Sequence, residues 1–308
     1  PNTEIIVTNG GMGALSLLFL VLLNKGDEIL IQDPQWLTYV AQVAYCDGTA
    51  VRVPPDLEHN FEMQPEAIEK LITPHTKALM INTPNNPTGS VMTRETMAKI
   101  AQLAVKHDLM VISDEVYERL IYDGAKHVSI ASLPGMKERT IIVNGVSKAY
   151  AMTGWRIGFI AAPEWIVKGC NKLQGQYTSG PCSVSQKAAE AAYTTSQECV
   201  ETMRKAFERR RDLIVSLAKE IPGLEVNCPQ GAFYLFPKCS GFYGKSYEGK
   251  TISNSTDLAM FLLEEGHVAT VGGDAFGDPD CFRMSYATSD DNIREAMRRI
   301  KETLAKLK

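Results

Sequence analysis

Two basic residues eight positions apart, Lys148 and Arg156, stand in the stretch Asn144-Gly-Val-Ser-Lys148-Ala-Tyr-Ala-Met-Thr-Gly-Trp-Arg156-Ile-Gly158. A lysine held among small residues can be desolvated, which lowers its pKa and frees the amine to attack a carbonyl. The arginine, set in a Gly-Trp-Arg-Ile-Gly turn, offers a fixed fork of donors suited to a phosphate. The pair therefore suits pyridoxal phosphate (PLP), an aldehyde that also carries a phosphate.

Three further segments could do chemistry. Asn9-Gly-Gly-Met-Gly13 turns directly into the apolar run Ala14–Leu23, and glycines at a helix N-terminus let backbone N–H groups point at an anion. Asn82-Thr-Pro-Asn-Asn86-Pro87-Thr-Gly89 is rigid and rich in amides, and Ser113-Asp114-Glu115-Val-Tyr117 carries two adjacent carboxylates. Each has a plain structural reading on its own: a tight turn, a Pro/Asn turn, a helix N-cap. What gathers them is their position. They follow Ile5–Thr8, Lys77–Ile81, Leu109–Ile112 and, for the lysine stretch, Thr140–Val143, all short apolar runs of the kind found in covered strands.

Glu28–Gln32 reads as another such strand. Between the second and third runs Thr93 is expected to cap a helix over Arg94–His107, with Met97, Ile100, Ala101 and Ala104 on one face. Pro65 is expected at the first position of a helix reaching Ile72. The alternation predicts an α/β domain with a mostly parallel sheet covered by helices, binding ligands at the carboxyl ends of its strands. A helix-like stretch runs from Ser183 to Leu217 and breaks at Pro222-Gly223. Beyond it, β-like pieces (Phe233–Phe236, Val268–Val271, Phe282–Tyr286) mix with helices near Thr256–Glu265 and Ser289–Leu307. The domain reading is a large unit over 1–208 and a smaller C-terminal α+β unit over 209–308.

The 308 residues, 44% hydrophobic and 22% charged, are those of an ordinary soluble globular protein. A net charge of −4 without a basic stripe gives no reason to expect nucleic acid. The Ala14–Leu23 run is too short to span a bilayer and reads as a buried helix, and the opening Pro-Asn-Thr-Glu has no signal-peptide character. Seven scattered cysteines and five histidines show no metal-ligand spacing, so no metal is expected, and a reducing cytoplasm is the simplest home.

Four motifs together resemble the fold-type-I PLP enzymes, specifically class I/II aminotransferases of the bacterial aspartate aminotransferase-like branch. They are Asn85-Asn-Pro-Thr-Gly89, Ser113-Asp-Glu-Val-Tyr117, Ser147-Lys-Ala149 with Gly154-Trp-Arg-Ile-Gly158, and Phe282-Arg-Met-Ser-Tyr-Ala287. The resemblance implies that Lys148 is the Schiff-base lysine and proton shuttle, and that Asp114 pairs with the pyridine nitrogen. It implies that Asn86 and Tyr117 bond the ring oxygen while Trp36 stacks on the ring. Gly11, Met12, Gly13, Ser147 and Arg156 are expected to bind the cofactor at its phosphate end, Arg283 with help from Asn86 to clamp the substrate carboxylate, and Trp36 to contact the substrate as well as the ring. Phe233 is read either as substrate-side or as plain core.

The implied activity is ping-pong transfer of an amino group between an L-amino acid and a 2-oxo acid, in a homodimer with shared sites. A PLP-dependent carbon–sulfur β-lyase, and an impaired PLP-binding fragment or sensor domain, are the rival readings. Three departures from the family pattern stand out. The resemblance implies several dozen residues before the Gly-rich turn, so the chain is expected to be a fragment. Gly145 stands where a phosphate-binding serine is common, with Ser147 as the possible substitute. Met12 stands where a polar or basic residue is common, which disfavours aspartate as donor because a thioether cannot pair a distal carboxylate.

Overall fold

In the computed structural model, which describes residues 3–308, seven short segments form one sheet. They are β1 (Ile5–Asn9), β2 (Glu28–Gln32), β3 (Thr49–Val53), β4 (Thr76–Asn82), β5 (Met110–Asp114), β6 (Thr140–Gly145) and β7 (Ile157–Ala161). Their order is β1-β7-β6-β5-β4-β2-β3. Only β7 runs antiparallel to its neighbours; the other pairings are parallel. Pro1 and Asn2, on which part of the N-terminal reading rests, lie outside the described residues.

Strand residues alternate between two cores because successive side chains point to opposite faces. Ala78 and Met80 of β4 join Ile29, Ile31 and Ile112 on one face, whereas Leu79 and Ile81 join Leu30 and Val111 on the other. The first face is covered by α1 (Gly10–Leu22), α2 (Thr38–Tyr45) and, through Ile166, Val167 and Cys170, by the later helix over Glu164–Tyr177 (α5); the second is covered by α3 (Pro65–Leu71) and α4 (Arg94–Lys106). The Ala14–Leu23 run is buried helix as expected, with Leu15, Leu18 and Phe19 fully buried. The Thr93 hydroxyl caps α4 by accepting the Thr96 N–H at 3.1 Å, and Pro65 opens α3. No helix among the described residues is long and apolar enough to cross a membrane.

The rest of the chain comprises α6 (Ser183–Thr194), α7 (Glu198–Lys219), β8 (Tyr234–Leu235), β9 (Ser246–Tyr247), β10 (Lys250–Thr251), α8 (Ser255–Gly266), β11 (Val271–Gly272), β12 (Phe282–Ser285) and α9 (Asp290–Leu304). A small antiparallel sheet, β11-β12-β8, packs with α7, α8 and α9 around a third core. Ser289 caps α9 by accepting the Asn292 N–H at 3.2 Å, and Ile293, Met297, Ile300 and Leu304 form its buried stripe.

Several sequence expectations need correction. The helix-like stretch Ser183–Leu217 is two helices, α6 and α7, parted at Thr195–Gln197. Val268–Thr270 is not strand, and only Val271–Gly272 pairs with β12. Of Phe233–Phe236, only Tyr234–Leu235 is strand. β3 and β7 went unrecognised because Thr49–Val53 and Ile157–Ala161 carry polar residues or glycine that dilute the apolar run.

Candidate active site

β4, β5 and β6 pair in parallel, so Asn82, Asp114 and the turn after Gly145 arrive together at their carboxyl ends. Here lies a cavity of about 380 Å³, lined by the N-terminal turn of α1, by the chain entering α2 and by residues of β8 and β12. Of the expected site residues, Gly11, Met12, Trp36, Asn86, Asp114, Tyr117, Ser147, Lys148, Arg156 and Arg283 line it. Gly13 does not. It is two residues further round α1, and the helical turn of about 100° per residue aims it at a neighbouring cavity beside Ser16 and Gln42.

The carboxylate of Asp114 is buried at the end of β5, where its Oδ2 accepts the Tyr39 hydroxyl at 2.7 Å and its Oδ1 the Val116 N–H at 3.2 Å. It caps no helix, since a turn follows β5. Burial pushes its pKa up to about 6, against the pull of Tyr39, Val116 and Lys148. Asn82 ties the floor together. Its Nδ2 donates to the Asp114 carbonyl at 3.0 Å, and its Oδ1 accepts the Asn86 N–H at 2.9 Å.

The Lys148 amine lies 5.7 Å from the Tyr117 ring centre and 5.6 Å from that of Phe233. Burial lowers its pKa, and the charges of Arg283 and Arg156 push the same way against Asp114. Arg283 sits 4.7 Å from both the Tyr234 and Phe276 ring centres and donates to Asn86 Oδ1 at 3.0 Å. Among the described residues neither Lys148, Arg156 nor Arg283 has a carboxylate in ion-pair contact. A cavity holding three such cations is prepared for anions. Phe233 packs beside the Lys148 amine without lining the cavity.

Arg156 follows a tight turn at Thr153–Trp155 with φ 54°, and its Nη1 donates to the Thr153 carbonyl at 2.8 Å. Its guanidinium fills the space a Cβ on Gly10 would take, which places the fork against the first turn of α1. The departure at Gly145 has a packing cause. Gly145 is opposite Gly158 in the β6–β7 ladder, and a Cβ on Gly145 would come within 2.7 Å of the Ile157 carbonyl oxygen and 2.8 Å of Gly158 Cα. Gly158 in turn leaves no room beside Gly10 and Gly11. A Gly145→Ser variant is therefore expected to lose about 1–3 kcal/mol of stability through overpacking, measured by thermal unfolding, rather than to gain a phosphate contact.

Tyr39, Asn82, Asn144, Thr153 and Tyr234 also line the cavity and were missed. Tyr39 could have been found from the spacing Trp36-x-x-Tyr39, since positions three apart meet on one side of a helical turn. Tyr234 carried no local signal.

The fold and this donor set define a pyridoxal-phosphate site of the fold-type-I kind. The fit rests on the chain's own groups, which line one cavity: an arginine packed against the first turn of α1, a buried carboxylate and a part-buried lysine. The chain belongs to the aminotransferase class I and II family, whose model matches residues 1–300. It is 44% identical over 310 residues to the "Bifunctional aspartate aminotransferase and glutamate/aspartate-prephenate aminotransferase" of Petunia hybrida, covering 99% of this chain. It spans 65% of that relative's length, a little under two thirds. It is 45% identical to the aspartate aminotransferase of Geobacillus stearothermophilus, over 96% of this chain and 75% of that protein. The solved aspartate aminotransferase of Rhizobium meliloti superposes with a TM-score of 0.97 at 39% identity, covering 100% of this chain and 78% of that one.

Proposed function

We propose that this chain carries the catalytic site of an aspartate aminotransferase-like enzyme, which moves an amino group between an L-amino acid and a 2-oxo acid. The observation that carries the reading is that the Lys148 amine lines one cavity with the buried Asp114 carboxylate, Arg156 and Arg283, none of these three cationic side chains having a carboxylate in ion-pair contact among the described residues. Bound in this cavity, pyridoxal phosphate supplies an electron sink for the charge left when a bond at the amino acid's Cα breaks.

The chain's own groups do the rest. Asp114 would keep the pyridine nitrogen protonated, with Tyr39 holding the carboxylate in place. Trp36 would cover a ring face, and Asn86 and Tyr117 would hold the ring oxygen. Arg156, Ser147 and the amides of Gly11 and Met12 would take the phosphate. Arg283 would fix the substrate carboxylate and so choose which Cα bond lies over the ring. Neutral Lys148 would carry the proton between Cα and the cofactor's C4′, a task for which a lowered pKa suits it.

Arg283→Ala is expected to weaken amino-acid and oxo-acid binding by roughly 10- to 100-fold, as for a lost charge-assisted hydrogen bond of about 1.5–3 kcal/mol. Steady-state KM values for both substrates check this, and unchanged values would remove the clamp. The reading as a whole is tested by amino transfer from a panel of L-amino acids to 2-oxoglutarate. Pyruvate and ammonia from cystathionine, with no transfer, would favour a β-lyase instead.

The division into units over 1–208 and 209–308 is retained as a proposal, its boundary falling inside α7. A homodimer is supported by exposed Met12 on the cavity wall and by exposed Tyr45 and Tyr177 around the adjacent cavity. A cytoplasmic setting is supported by seven free cysteines.

A further inference from the structure

We infer that Tyr234 is a positioning residue that serves two groups of this cavity at once, aligning the Tyr117 hydroxyl through its own hydroxyl and the Arg283 guanidinium through its ring. This rests on the PLP site proposed above. Three observations carry it. The Tyr117 and Tyr234 hydroxyls lie 2.9 Å apart, both side chains being buried, with ring centres 5.9 Å apart in an edge-on arrangement. The Arg283 guanidinium lies 4.7 Å from the Tyr234 ring centre, with the Phe276 ring also at 4.7 Å. Tyr234 itself lines the cavity and is anchored by strand pairing, Tyr234 opposite Ser285 and Leu235 opposite Met284.

The chemistry of the two contacts differs. A phenol hydroxyl can donate one hydrogen bond while accepting another. When Tyr117 donates towards a ligand oxygen, its own oxygen is open to the Tyr234 proton. Accepting that proton polarises Tyr117 and strengthens its donation, by an amount typical of chained hydrogen bonds, roughly 10–30%. The ring contact with Arg283 is a cation–π one and needs no hydroxyl. It also spares the arginine a search over rotamers, because guanidinium motion is blocked by aromatic surface and by Asn86. Backbone topology makes the arrangement possible: Tyr117 follows β5 in the large sheet, whereas Tyr234 and Arg283 lie on adjacent strands of the small one.

Two substitutions separate the contacts. Tyr234→Phe removes the hydroxyl and keeps the ring; Tyr234→Leu removes both. The test titrates the visible absorbance of PLP-loaded protein against pH and measures binding of propionate, a non-reacting carboxylate, by its effect on that absorbance. A weaker Tyr117 donor leaves more negative charge on the ring oxygen, which favours the protonated form of the adjacent lysine–cofactor bond. In Tyr234→Phe the midpoint is thus expected to rise by roughly 0.3–0.7 pH unit, with propionate affinity unchanged. In Tyr234→Leu the midpoint should rise and propionate affinity should fall several-fold. Thermal unfolding of the apoprotein identifies any variant that has lost its fold, and Tyr234→Phe, the smaller change, then decides. An unmoved midpoint in Tyr234→Phe overturns the inference while leaving the PLP site standing. Absence of a borohydride-reducible lysine–PLP bond in the unsubstituted protein overturns the site and the inference together.

Discussion

Lys148→Ala is expected to abolish the reducible bond between protein and PLP and to lower turnover by roughly 10⁴-fold or more, since in the proposed function one group would serve as both nucleophile and proton carrier. The position argues for the size of the effect. The amine is part-buried beside the packed Tyr117 and Phe233 rings, with no carboxylate in ion-pair contact among the described residues and with Arg156 and Arg283 adding to the burial that lowers its pKa. At neutral pH it is deprotonated more often than a surface lysine would be, and among the described residues that line the cavity none offers a second amine. Removing it also relieves the cost of burying a charge, so the apoprotein should unfold no more easily than before. Borohydride reduction followed by peptide mass mapping checks the first expectation. A reducible bond that persists in Lys148→Ala would sink the assignment.

Asp114→Asn should separate stability from function. The folded-state pKa of Asp114 is raised from 3.8 to about 6, burial being the largest cause. A raised carboxylate favours folding most below about 3.8, and that contribution is lost as the pH rises through about 6. Above pH 6 the ionised group thus costs the apoprotein an amount set by the gap between these values, roughly 3 kcal/mol at most. Asparagine keeps an oxygen for the Tyr39 hydroxyl but carries no charge. The variant apoprotein is expected to be more stable than the parent at pH 8, by up to that amount, and to lose the advantage towards pH 4. PLP affinity should move the other way, because a neutral amide cannot hold a protonated pyridine nitrogen, and turnover should fall by roughly 10²–10³-fold. In the parent, PLP affinity should weaken as the pH drops below about 6, where the empty site's Asp114 takes up a proton. Denaturant unfolding at the two pH values and PLP titration monitored by fluorescence measure the pair. Unchanged PLP affinity in Asp114→Asn would remove the carboxylate from the site.

Much of this was legible in the residues alone. Covered strands announce themselves as apolar runs because both faces need burial, which is why β2, β4, β5 and β6 could be read from Glu28, Lys77, Leu109 and Thr140 onward. Caps are local chemistry, so Thr93, Pro65 and Ser289 marked their helices. Local motifs also picked out Lys148, Asp114, Asn86, Arg156 and Arg283, all of which line one cavity. The two-residue strands β8 and β11 were overdrawn, since so short a pairing depends on its partner rather than on its own pattern.

Residue types and their spacing set which groups are able to do the chemistry and which strand ends carry them. Tertiary structure alone decided which of these groups touch. Asp114 and Tyr39 are 75 residues apart in the chain, and Arg283 and Asn86 are 197 apart, yet both pairs are in hydrogen-bond contact. Gly145 looked like a lost phosphate contact until Gly158 and the Ile157 carbonyl were seen against it. Tyr234 was silent until β8 paired with β12 and brought its hydroxyl to Tyr117 and its ring to Arg283. The physical reason is common to all of them: residue type and local spacing set what a side chain can do, whereas burial, close backbone approach and long-range partners exist only once the sheets have formed and the chain has packed.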